Sequence, residues 1–258
     1  MDCARVADYL ADWIRDQVSS AGARGVVVAI SGGVDSAVVA ALSARAMPGS
    51  ILGLLLPAHN DPQDMEDARA VAQAFGIPTE VIDLAPLFDL AVESFERRAT
   101  REDAKDATPH HPGRPSVAVA NLKPRLRMIT LYYFANKLNY LVAGTGNRSE
   151  IEVGYFTKYG DGGVDILPIG GLVKTQVWEL ARFLGVPERV VSKTPTAGLW
   201  QGQTDEGEMG LTYRDLDRFL LTGQASPEVR ERIARMHARS EHKRRCAPVA
   251  ELPPELLA

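Results

Sequence analysis

The sequence predicts an α/β fold, with a doubly wound, mainly parallel sheet and helices on both of its faces. Short β-branched runs alternate with longer segments in which apolar residues recur at helical intervals. Such alternation builds right-handed βαβ units, which place parallel strands side by side. With 258 residues, of which 45% are hydrophobic, the chain can bury one substantial core. We therefore expect a single domain over residues 1–258.

The predicted elements follow one another in a regular order. An amphipathic helix begins near Val6, where apolar residues recur every three or four positions. The predicted strands are Val26–Ile30, Ile51–Leu56, Thr79–Ile82 and Tyr140–Ala143. The predicted helices between and after them cover residues 36–46, a segment from residue 62, residues 87–98, a segment from residue 122, and residues 173–184. We expect short helices and loops in the C-terminal third.

Two helix starts carry a recognisable capping signal. Asp61 can accept hydrogen bonds from free backbone N–H groups, and Pro62 sacrifices no donor at the first helical position. Asn121 is the predicted cap of the long helix that follows it. The expected buried face of that helix consists of Leu122, Leu126, Ile129 and Tyr133.

The periodic pattern stops between Thr100 and Ser116. This segment is polar, contains three prolines and has no apolar periodicity, which predicts a mobile loop that can serve as a lid. His110 and His111 lie within it, and we interpret them as solvated residues because no partner ligands lie nearby in the sequence.

Composition and charge argue against several classes of protein. Cys3 and Cys246 form no CxxC pair, so neither a disulfide framework nor a zinc site is indicated, and a reducing cytoplasm is expected. The N-terminus lacks the features of a signal peptide, and the longest apolar runs are too short to cross a bilayer. The net charge of −4 argues against a nucleic-acid partner.

The segment SGGVDS, from Ser31 to Ser36, carries the strongest chemical signal. It lies between a buried strand and a helix start, where glycines permit close backbone approach and new helical N–H groups attract an anion. The segment lacks the lysine of a Walker loop, but Asp35 suits a magnesium ion that bridges phosphates. The alternative is an ordinary glycine turn with Asp35 as a helix cap. The position after a first buried strand favours phosphate binding.

Other candidates are weaker when each is considered alone. Thr145 and Glu150 flank the carboxyl end of a strand, where Glu150 can complete a magnesium site with Asp35; otherwise it is a surface carboxylate. Lys158 and Asp165 belong to a glycine-rich turn, which is either a binding loop or a solvated hairpin. The residues whose plainer interpretation is a solvated side chain are Arg125, Lys174, His242 and Lys243.

SGGVDS resembles the PP-loop of the ATP pyrophosphatases, which cleave ATP between the α and β phosphates. Five later segments resemble the NAD synthetase family in the same order: NLKPRLRM, GTGNRSE, GYFTKYGDGGVD, PTAGLWQGQTDE and HKRR. Together with the loop they span nearly the whole chain. The resemblance implies a Rossmann-like, adenine nucleotide alpha-hydrolase-like fold and a homodimer whose interface helps to build the substrate site.

The resemblance also implies a role for individual residues. The ATP-binding residues would be Ala29, Ile30, Ser31, Gly32, Gly33, Val34, Asp35, Ser36, Thr145, Lys174 and Thr196. The residues that contact the dinucleotide substrate would be Arg125, Lys158, Asp165, His242 and Lys243. Magnesium would be held by Asp35 and Glu150, and catalysis would depend on Asp35, Lys158 and Lys174.

The activity implied by the resemblance is the last step of NAD biosynthesis. ATP would activate the carboxylate of nicotinic acid adenine dinucleotide (deamido-NAD) as an acyl-adenylate, and ammonia would displace AMP. Ammonia is the expected nitrogen donor because 258 residues leave no room for a glutaminase domain. Two alternatives remain: another PP-loop ligase, such as a tRNA-modifying enzyme, and a non-catalytic adenine-nucleotide-binding module.

Two positions depart from the family pattern. Gly198 stands where the family usually has an aspartate, and residues 200–202 replace a turn that usually contains proline. The substrate contacts of this loop therefore cannot be assigned from the family pattern. The predicted ATP chemistry does not depend on them.

Overall fold

The computed structural model describes residues 1–97, 115–200, 202–253 and 256. Its strands are β1 (Val26–Ala29), β2 (Ile51–Leu55), β3 (Thr79–Val81) and β4 (Leu141–Val142). Its helices are α1 (Cys3–Ser20), α2 (Val34–Ala46), α3 (Pro62–Ala74), α4 (Ala85–Glu96), α5 (Val117–Ala120), α6 (Leu122–Leu138), α7 (Arg148–Val153), α8 (Lys174–Leu184), α9 (Glu188–Val191), α10 (Asp205–Met209), α11 (Tyr213–Thr222) and α12 (Pro227–Arg244).

The four strands form one parallel sheet in the order β3-β2-β1-β4. Val26 of β1 is in register with Ile51 of β2 on one side and with Leu141 of β4 on the other. A single parallel bridge between Ala143 and Ile166 continues the sheet beyond β4. The order reverses at β1, which confirms the predicted doubly wound topology and opens a crevice at the carboxyl ends of β1 and β4.

Helices cover both faces of the sheet, as the sequence predicts. Val26 and Val28 of β1 pack into a cluster with α1, α2, α3 and α8, whereas Val27 packs on the opposite face with α6 and with Leu84, the residue before α4. All three valines are completely buried. A strand that is covered on both faces needs a continuous apolar run rather than an alternating one, and β1 has such a run.

The two predicted capping residues differ in outcome. Asp61 accepts a hydrogen bond from the Gln63 backbone N–H at 2.9 Å, so the predicted start of α3 is confirmed. Asn121 precedes α6 but its side chain does not cap the helix, so that prediction is wrong. The Asn121 amide oxygen instead accepts the Thr157 hydroxyl at 2.7 Å. A tertiary partner has therefore replaced the local one.

The predicted buried face of α6 is also partly wrong. Leu131 and Ala135 are the residues that α6 buries against the sheet, whereas Ile129 and Tyr133 are each 60% exposed. The helical period was correct, but the apolar residues of α6 point in two directions. The exposed pair leaves an apolar strip on the surface of the single chain.

The C-terminal third contains more helix than the sequence predicted. α12 has 18 residues, so the expectation of only short helices there is wrong. It packs with α7 and α11 around a third apolar cluster that includes Leu216 and Ile233. The highly charged composition of α12 hid this helix, because few apolar residues mark its buried side.

The predicted lid falls largely outside the described residues. Residues 100–114, which include His110 and His111, lie outside the described ranges. Ser116 is described, and its hydroxyl accepts a hydrogen bond from the Val119 backbone N–H at the start of α5. Within the described ranges, every helix is too short or too polar to cross a bilayer.

Candidate active site

A cavity of about 420 Å³ opens at the carboxyl ends of β1 and β4. Its walls come from the turn after β1, the segment after β4, the first residues of α8, and the chain between Lys193 and Glu208. Open α/β sheets bind their ligands in the crevice where the strand order reverses, and this cavity lies there.

The Ser31–Ser36 turn is shaped by its own hydrogen bonds. The Ser31 backbone N–H donates to Ser36 Oγ at 3.1 Å, and that hydroxyl donates to the Gly33 carbonyl oxygen at 2.9 Å. Gly32 has a φ of +81°, and a Cβ atom at Gly32 would lie 2.5 Å from the Asp64 carbonyl oxygen. Only glycine satisfies both the left-handed conformation and the close backbone approach.

The N-terminus of α2 is available to an anion. No side chain caps this helix, and Asp35 is not its cap. The first residues of α2, from Val34 to Ser36, line the cavity. The free N–H groups and the positive end of the helix dipole therefore meet at the cavity wall, which is a suitable environment for a phosphate group.

Lys174 joins the two candidate metal carboxylates. Its Nζ donates to Asp35 Oδ2 at 2.5 Å and lies 3.5 Å from Glu150 Oε1. Burial disfavours the ammonium form, but the charges of Asp35 and Glu150 outweigh it and raise the pKa of Lys174. Lys174 therefore carries a permanent positive charge next to the glycine turn, although its side chain is only 2% exposed.

For Glu150, in contrast to Lys174, the environment disfavours the charged form. Burial, with a further contribution from the negative charge of Asp35, raises the pKa of Glu150 to about 8, despite the favourable charge of Lys174. Without a ligand, Glu150 therefore keeps its proton at neutral pH. Two carboxyl groups that converge beside the glycine turn match the oxygen ligands that magnesium prefers.

Asn147 fixes the positions of both carboxylates. Its side-chain amide donates to Asp35 Oδ1 at 2.9 Å, and its amide oxygen accepts the Glu150 backbone N–H at 3.0 Å. Glu150 Oε2 in return accepts the Asn147 backbone N–H at 3.2 Å, which completes a capping box at the start of α7. One completely buried side chain therefore joins the turn after β1 to the helix after β4.

The start of α8 is held by a buried carboxylate of α11. Asp217 accepts the Thr175 backbone N–H at 2.7 Å and the Ser149 hydroxyl at 2.5 Å. The Ser149 oxygen accepts the Lys174 backbone N–H at 3.1 Å. Asp217 therefore caps α8 from a distance and helps to fix the backbone of Lys174.

Two further charged side chains line the cavity. The guanidinium of Arg127, in α6, donates to the Leu56 carbonyl oxygen at 3.2 Å and to Asn60 Oδ1 at 2.8 Å, which holds the segment after β2 against α6. Lys193 donates to Asp64 and to Asp67, each at 2.7 Å. These contacts hold α3 against residues 193–200, which we call the Lys193 loop.

The cavity brings together most of the predicted ATP-binding residues. Gly32 is the exception, since it shapes the turn without lining the cavity; the lining members are Ala29, Ile30, Ser31, Gly33, Val34, Asp35, Ser36, Thr145, Lys174 and Thr196. The Thr196 hydroxyl also accepts the Gly198 backbone N–H at 3.1 Å, which closes a tight turn in the Lys193 loop.

The predicted substrate residues are more dispersed. Lys243 lines the cavity and donates to the carbonyl oxygens of Gly154 and Phe156, at 2.8 and 2.7 Å. Lys158 lies outside the cavity wall, where its Nζ donates to the His242 carbonyl oxygen at 2.5 Å. The Arg125 guanidinium approaches the Lys158 carbonyl oxygen at 3.4 Å.

Asp165 also lies outside the cavity wall of the single chain. Its Oδ1 accepts the Tyr132 hydroxyl at 2.9 Å, and its Oδ2 accepts the Val142 backbone N–H at 2.8 Å. Both carboxylate oxygens are thus engaged at the end of β4. None of Arg125, Lys158, Asp165 and His242 lines the cavity; Lys158 is half-buried and the other three are exposed.

The sequence prediction missed several residues of the site. Asn147 was detectable, because an asparagine three residues before a glutamate is the signature of a capping box. Tyr213 was not, because its hydroxyl contacts Glu150, which lies 63 positions away. Asp205 was not, because it belongs to a short helix that no periodicity marks. Asp217 likewise acts through a tertiary contact with α8.

The residue at position 198 has a local structural reason to be glycine. Gly198 has a φ of +61°, and an added Cβ atom would lie 3.3 Å from the Asn60 amide nitrogen and 3.9 Å from Asp64 Oδ2. A carboxylate, that of Asp64, is therefore already present beside the position where the family pattern has aspartate.

The fold and the cavity define an α/β nucleotide-binding protein with a glycine-rich phosphate turn at its topological switch point. Residues 6–247 match the family model described as NAD synthase. The chain is 52% identical, over 95% of its length and 96% of the relative's, to the NH3-dependent NAD+ synthetase of Carboxydothermus hydrogenoformans. It is 49% identical, over 99% of both chains, to the corresponding protein of Syntrophomonas wolfei.

A solved structure gives the same result. The chain is similar to the NMN synthetase of Francisella tularensis with a TM-score of 0.88 and 38% identity, over 98% of this chain and 100% of the other. The chain therefore belongs to the NAD synthase family. This membership confirms the predicted family and fold, and neither a tRNA-modifying ligase nor a non-catalytic module is favoured.

Proposed function

We propose that the chain is a carbon–nitrogen ligase that amidates nicotinic acid adenine dinucleotide with ammonia, consumes ATP, and releases AMP and pyrophosphate. The observation that carries this proposal is the meeting of the Ser31–Ser36 turn with Lys174, whose Nζ lies 2.5 Å from Asp35 Oδ2 within one cavity. The names of the relatives support ammonia as the nitrogen donor and the dinucleotide as the acceptor.

The chemistry explains why ATP is needed. A carboxylate is a poor acyl donor because its oxygen is a poor leaving group. In the first step, a carboxylate oxygen of the nicotinate bonds to the α phosphorus of ATP, and the bond to pyrophosphate breaks. In the second step, the nitrogen of ammonia bonds to the carboxyl carbon, AMP leaves with the original carboxylate oxygen, and the nitrogen loses a proton.

The residues of the site would act by positioning and by charge. The N–H groups at the start of α2 and the hydroxyls of Ser31 and Ser36 suit the β and γ phosphates. The buried ammonium of Lys174 would offset negative charge that develops at the α phosphate. No protein nucleophile is required. Lys158, which is predicted to share this role, lies outside the cavity and would have to reach it by a change of its side-chain position.

Asp35 and Glu150 would hold magnesium. Both carboxylates lie beside the glycine turn, within reach of the Lys174 ammonium. Burial and the charge of Asp35 raise the pKa of Glu150, and a metal ion bound there would favour its ionised form. No group of three or more metal-ligating side chains occurs within the described ranges, so phosphate oxygens and water would supply the other ligands, as is usual for magnesium bound to a nucleotide. Bound magnesium supplies Lewis-acid stabilisation of the phosphates.

We further propose that the protein acts as a homodimer. None of Arg125, Lys158, Asp165 and His242 lines the cavity of the single chain, so a second copy would be needed to enclose a dinucleotide against them. The exposed apolar strip of α6, formed by Ile129 and Tyr133, suits burial against that copy. A mass in solution of about one chain at micromolar concentration would contradict this proposal.

The remaining expectations concern the composition and location of the protein. The proposal includes a single synthetase domain, a cytoplasmic location and no nucleic-acid partner. The net charge of −4 supports the last of these. Comparison of activity with ammonium and with glutamine tests whether the chain needs a separate source of ammonia.

A second candidate substrate is nicotinic acid mononucleotide, which carries the same nicotinate carboxylate. The similarity in structure to the NMN synthetase of Francisella tularensis, with a TM-score of 0.88, favours a test of this substrate. We expect the dinucleotide to have the higher kcat/KM, because relatives with higher identity act as NAD+ synthetases by name. A higher kcat/KM for the mononucleotide would reverse the assignment.

The direct test is incubation with ATP, magnesium, ammonium and each nicotinate nucleotide in turn. We expect stoichiometric NAD+, AMP and pyrophosphate. The appearance of ADP, or the absence of amide product from both nucleotides, would contradict the proposed function.

A further inference from the structure

A second group of polar side chains lines the same cavity and has no part in the reaction described above. Its lining members are Asp205, Tyr155, Gln203 and Glu208. Together with Tyr213, which is buried outside the cavity wall and contacts Asp205, we call them the Asp205 cluster. Asp205 is 4% exposed and Tyr213 is completely buried. A carboxylate at this depth requires partners, because burial without them is costly.

Tyr213 joins this cluster to the site of Lys174. Its hydroxyl lies 3.0 Å from Asp205 Oδ2 and 3.3 Å from Glu150 Oε1. A phenol has one proton, so it donates to only one of these two carboxylates at a time. Lys174 lies 3.5 Å from the same Glu150 oxygen, which places the cluster directly beside the residues assigned to the phosphates.

The other hydroxyl of the cluster is already engaged. Tyr155 donates to Glu208 Oε2 at 2.9 Å, and the Gln203 amide donates to the same oxygen at 2.8 Å. Asp205 also faces the Tyr155 hydroxyl, but the single proton of that hydroxyl serves Glu208. Asp205 Oδ1 is consequently buried without a hydrogen-bond partner.

Asp205 Oδ1 therefore lacks a hydrogen-bond donor. Burial also raises the pKa of Asp205, even though the charge of Lys174 opposes the shift. A small cation with several N–H donors would supply the missing donor and favour the charged carboxylate. Ammonium has four such donors in a tetrahedral arrangement, and it is small enough to enter a cavity of about 420 Å³ together with part of a nucleotide.

We propose that the Asp205 cluster is the subsite that binds ammonium, with Asp205 Oδ1 as its main acceptor. This inference rests on the proposed function, because it assigns the nitrogen donor of that reaction to particular residues. Ammonium so bound lies in the same cavity as Asp35 and Lys174, on the Glu150 side of that pair. The bound ammonium passes one proton to Asp205 and reacts as ammonia, because only ammonia has the free electron pair that attacks the activated carboxyl carbon.

Magnesium fits the cluster less well than ammonium. Magnesium demands an octahedral set of oxygen ligands and usually keeps several waters, whereas two phenol hydroxyls and an amide are poor ligands for it. Within the part of the chain that the structure describes, no set of three or more metal-ligating side chains converges here. The unpartnered carboxylate oxygen needs hydrogen-bond donors, and ammonium supplies them.

The test uses the variant Asp205→Asn and measures adenylation and the reaction with ammonium separately. The asparagine oxygen can still accept the Tyr213 hydroxyl, but the negative charge is lost. We expect the KM for ammonium to rise about tenfold or more, as loss of a charge-assisted contact implies. We expect adenylation, measured without ammonium as pyrophosphate release in a single turnover, to stay within about twofold of the native rate.

Two further variants control the result. Tyr155→Phe removes one hydroxyl of the cluster but keeps its ring, and it should raise the KM for ammonium by about threefold with adenylation intact. Asp215→Asn removes a carboxylate at the exposed start of α11 and should leave the KM for ammonium unchanged. Thermal unfolding of each variant establishes that it is folded.

The outcomes are distinguishable from a failure of the proposed function. If the native protein neither releases pyrophosphate nor forms amide, the proposed function itself is wrong. If the native protein is active and the KM for ammonium stays within about twofold in Asp205→Asn and Tyr155→Phe, the inference is wrong. A parallel loss of adenylation in Asp205→Asn would also overturn it, because Asp205 would then serve the nucleotide or its metal.

Discussion

Glu150→Gln should stabilise the ligand-free protein at neutral and alkaline pH while it abolishes adenylation. The side chain of Glu150 is only 15% exposed and shares its environment with Asp35 and Lys174. Glutamine has nearly the same shape and carries no charge. The substitution therefore isolates the free-energy cost of burying a second carboxyl group beside Asp35, where Lys174 is the shared partner of both.

The magnitude follows from the pKa. Burial and the charge of Asp35 raise the pKa of Glu150 from 4.5 to about 8. The folded protein therefore keeps a proton that the unfolded chain releases, and its stability falls by about 1.4 kcal/mol per pH unit between those two values. The protonated carboxyl of Glu150 contributes its full stabilisation below pH 4.5, and this contribution is lost as the pH rises through about 8. The total loss of unfolding free energy is at most about 5 kcal/mol.

Chemical denaturation without ATP or magnesium measures this effect. The difference in the free energy of unfolding, variant minus native, should be small or negative at pH 5, because glutamine loses one acceptor. It should then rise by about 1 kcal/mol for each pH unit up to pH 8.

A constant difference from pH 5 to pH 8 would refute the reasoning, because it would mean that Glu150 is ionised throughout. The same preparations should release no pyrophosphate from ATP and the dinucleotide. Saturating magnesium should stabilise the native protein and leave Glu150→Gln unchanged, since the variant lacks one of the two proposed ligands.

Three other substitutions test separate parts of the site. Gly32→Ala should destabilise the protein by about 2 kcal/mol or more in denaturant titrations and weaken ATP binding, because its Cβ atom would meet the Asp64 carbonyl oxygen at 2.5 Å; native-like stability would contradict the assigned turn geometry. Asn147→Ala should reduce adenylation by about a hundredfold at unchanged secondary structure, since the Asp35 carboxylate loses a fixed donor and the Glu150 backbone N–H loses its cap. A change below about threefold would argue against its positioning role. Lys174→Met should reduce single-turnover pyrophosphate release by about a thousandfold, because no other cation lies at this position in the described cavity wall; substantial remaining release would assign the α phosphate to another residue.

The sequence was sufficient for the elements that depend on local chemistry. The continuous apolar run of β1 predicted a strand buried on both faces, and Asp61 and Pro62 predicted the start of α3. Both signals lie within a few residues of the structure that they specify. The glycine turn after β1 was predicted for the same reason, because its backbone conformation is encoded by the residues that adopt it.

The sequence was insufficient where a distant partner decides the outcome. Asn121 had a capping side chain, but Thr157 provided a better partner from another segment. α12 was missed because its packing against α7 and α11 requires few apolar residues. Asp205 and Tyr213 entered the site by tertiary contacts that no spacing in the sequence records. The resemblance to a family supplied roles for residues such as Lys174 that spacing alone would have left on a helix surface.

The central claim is that the nicotinate carboxylate captures the α phosphate of ATP in the cavity between β1 and β4. Transfer of ¹⁸O from the labelled carboxylate of nicotinic acid adenine dinucleotide tests it most directly, with mass spectrometry of the nucleotide products. One ¹⁸O atom should appear in the phosphate of AMP for each NAD+ formed. Unlabelled AMP, or label in inorganic phosphate alongside ADP, would contradict the account.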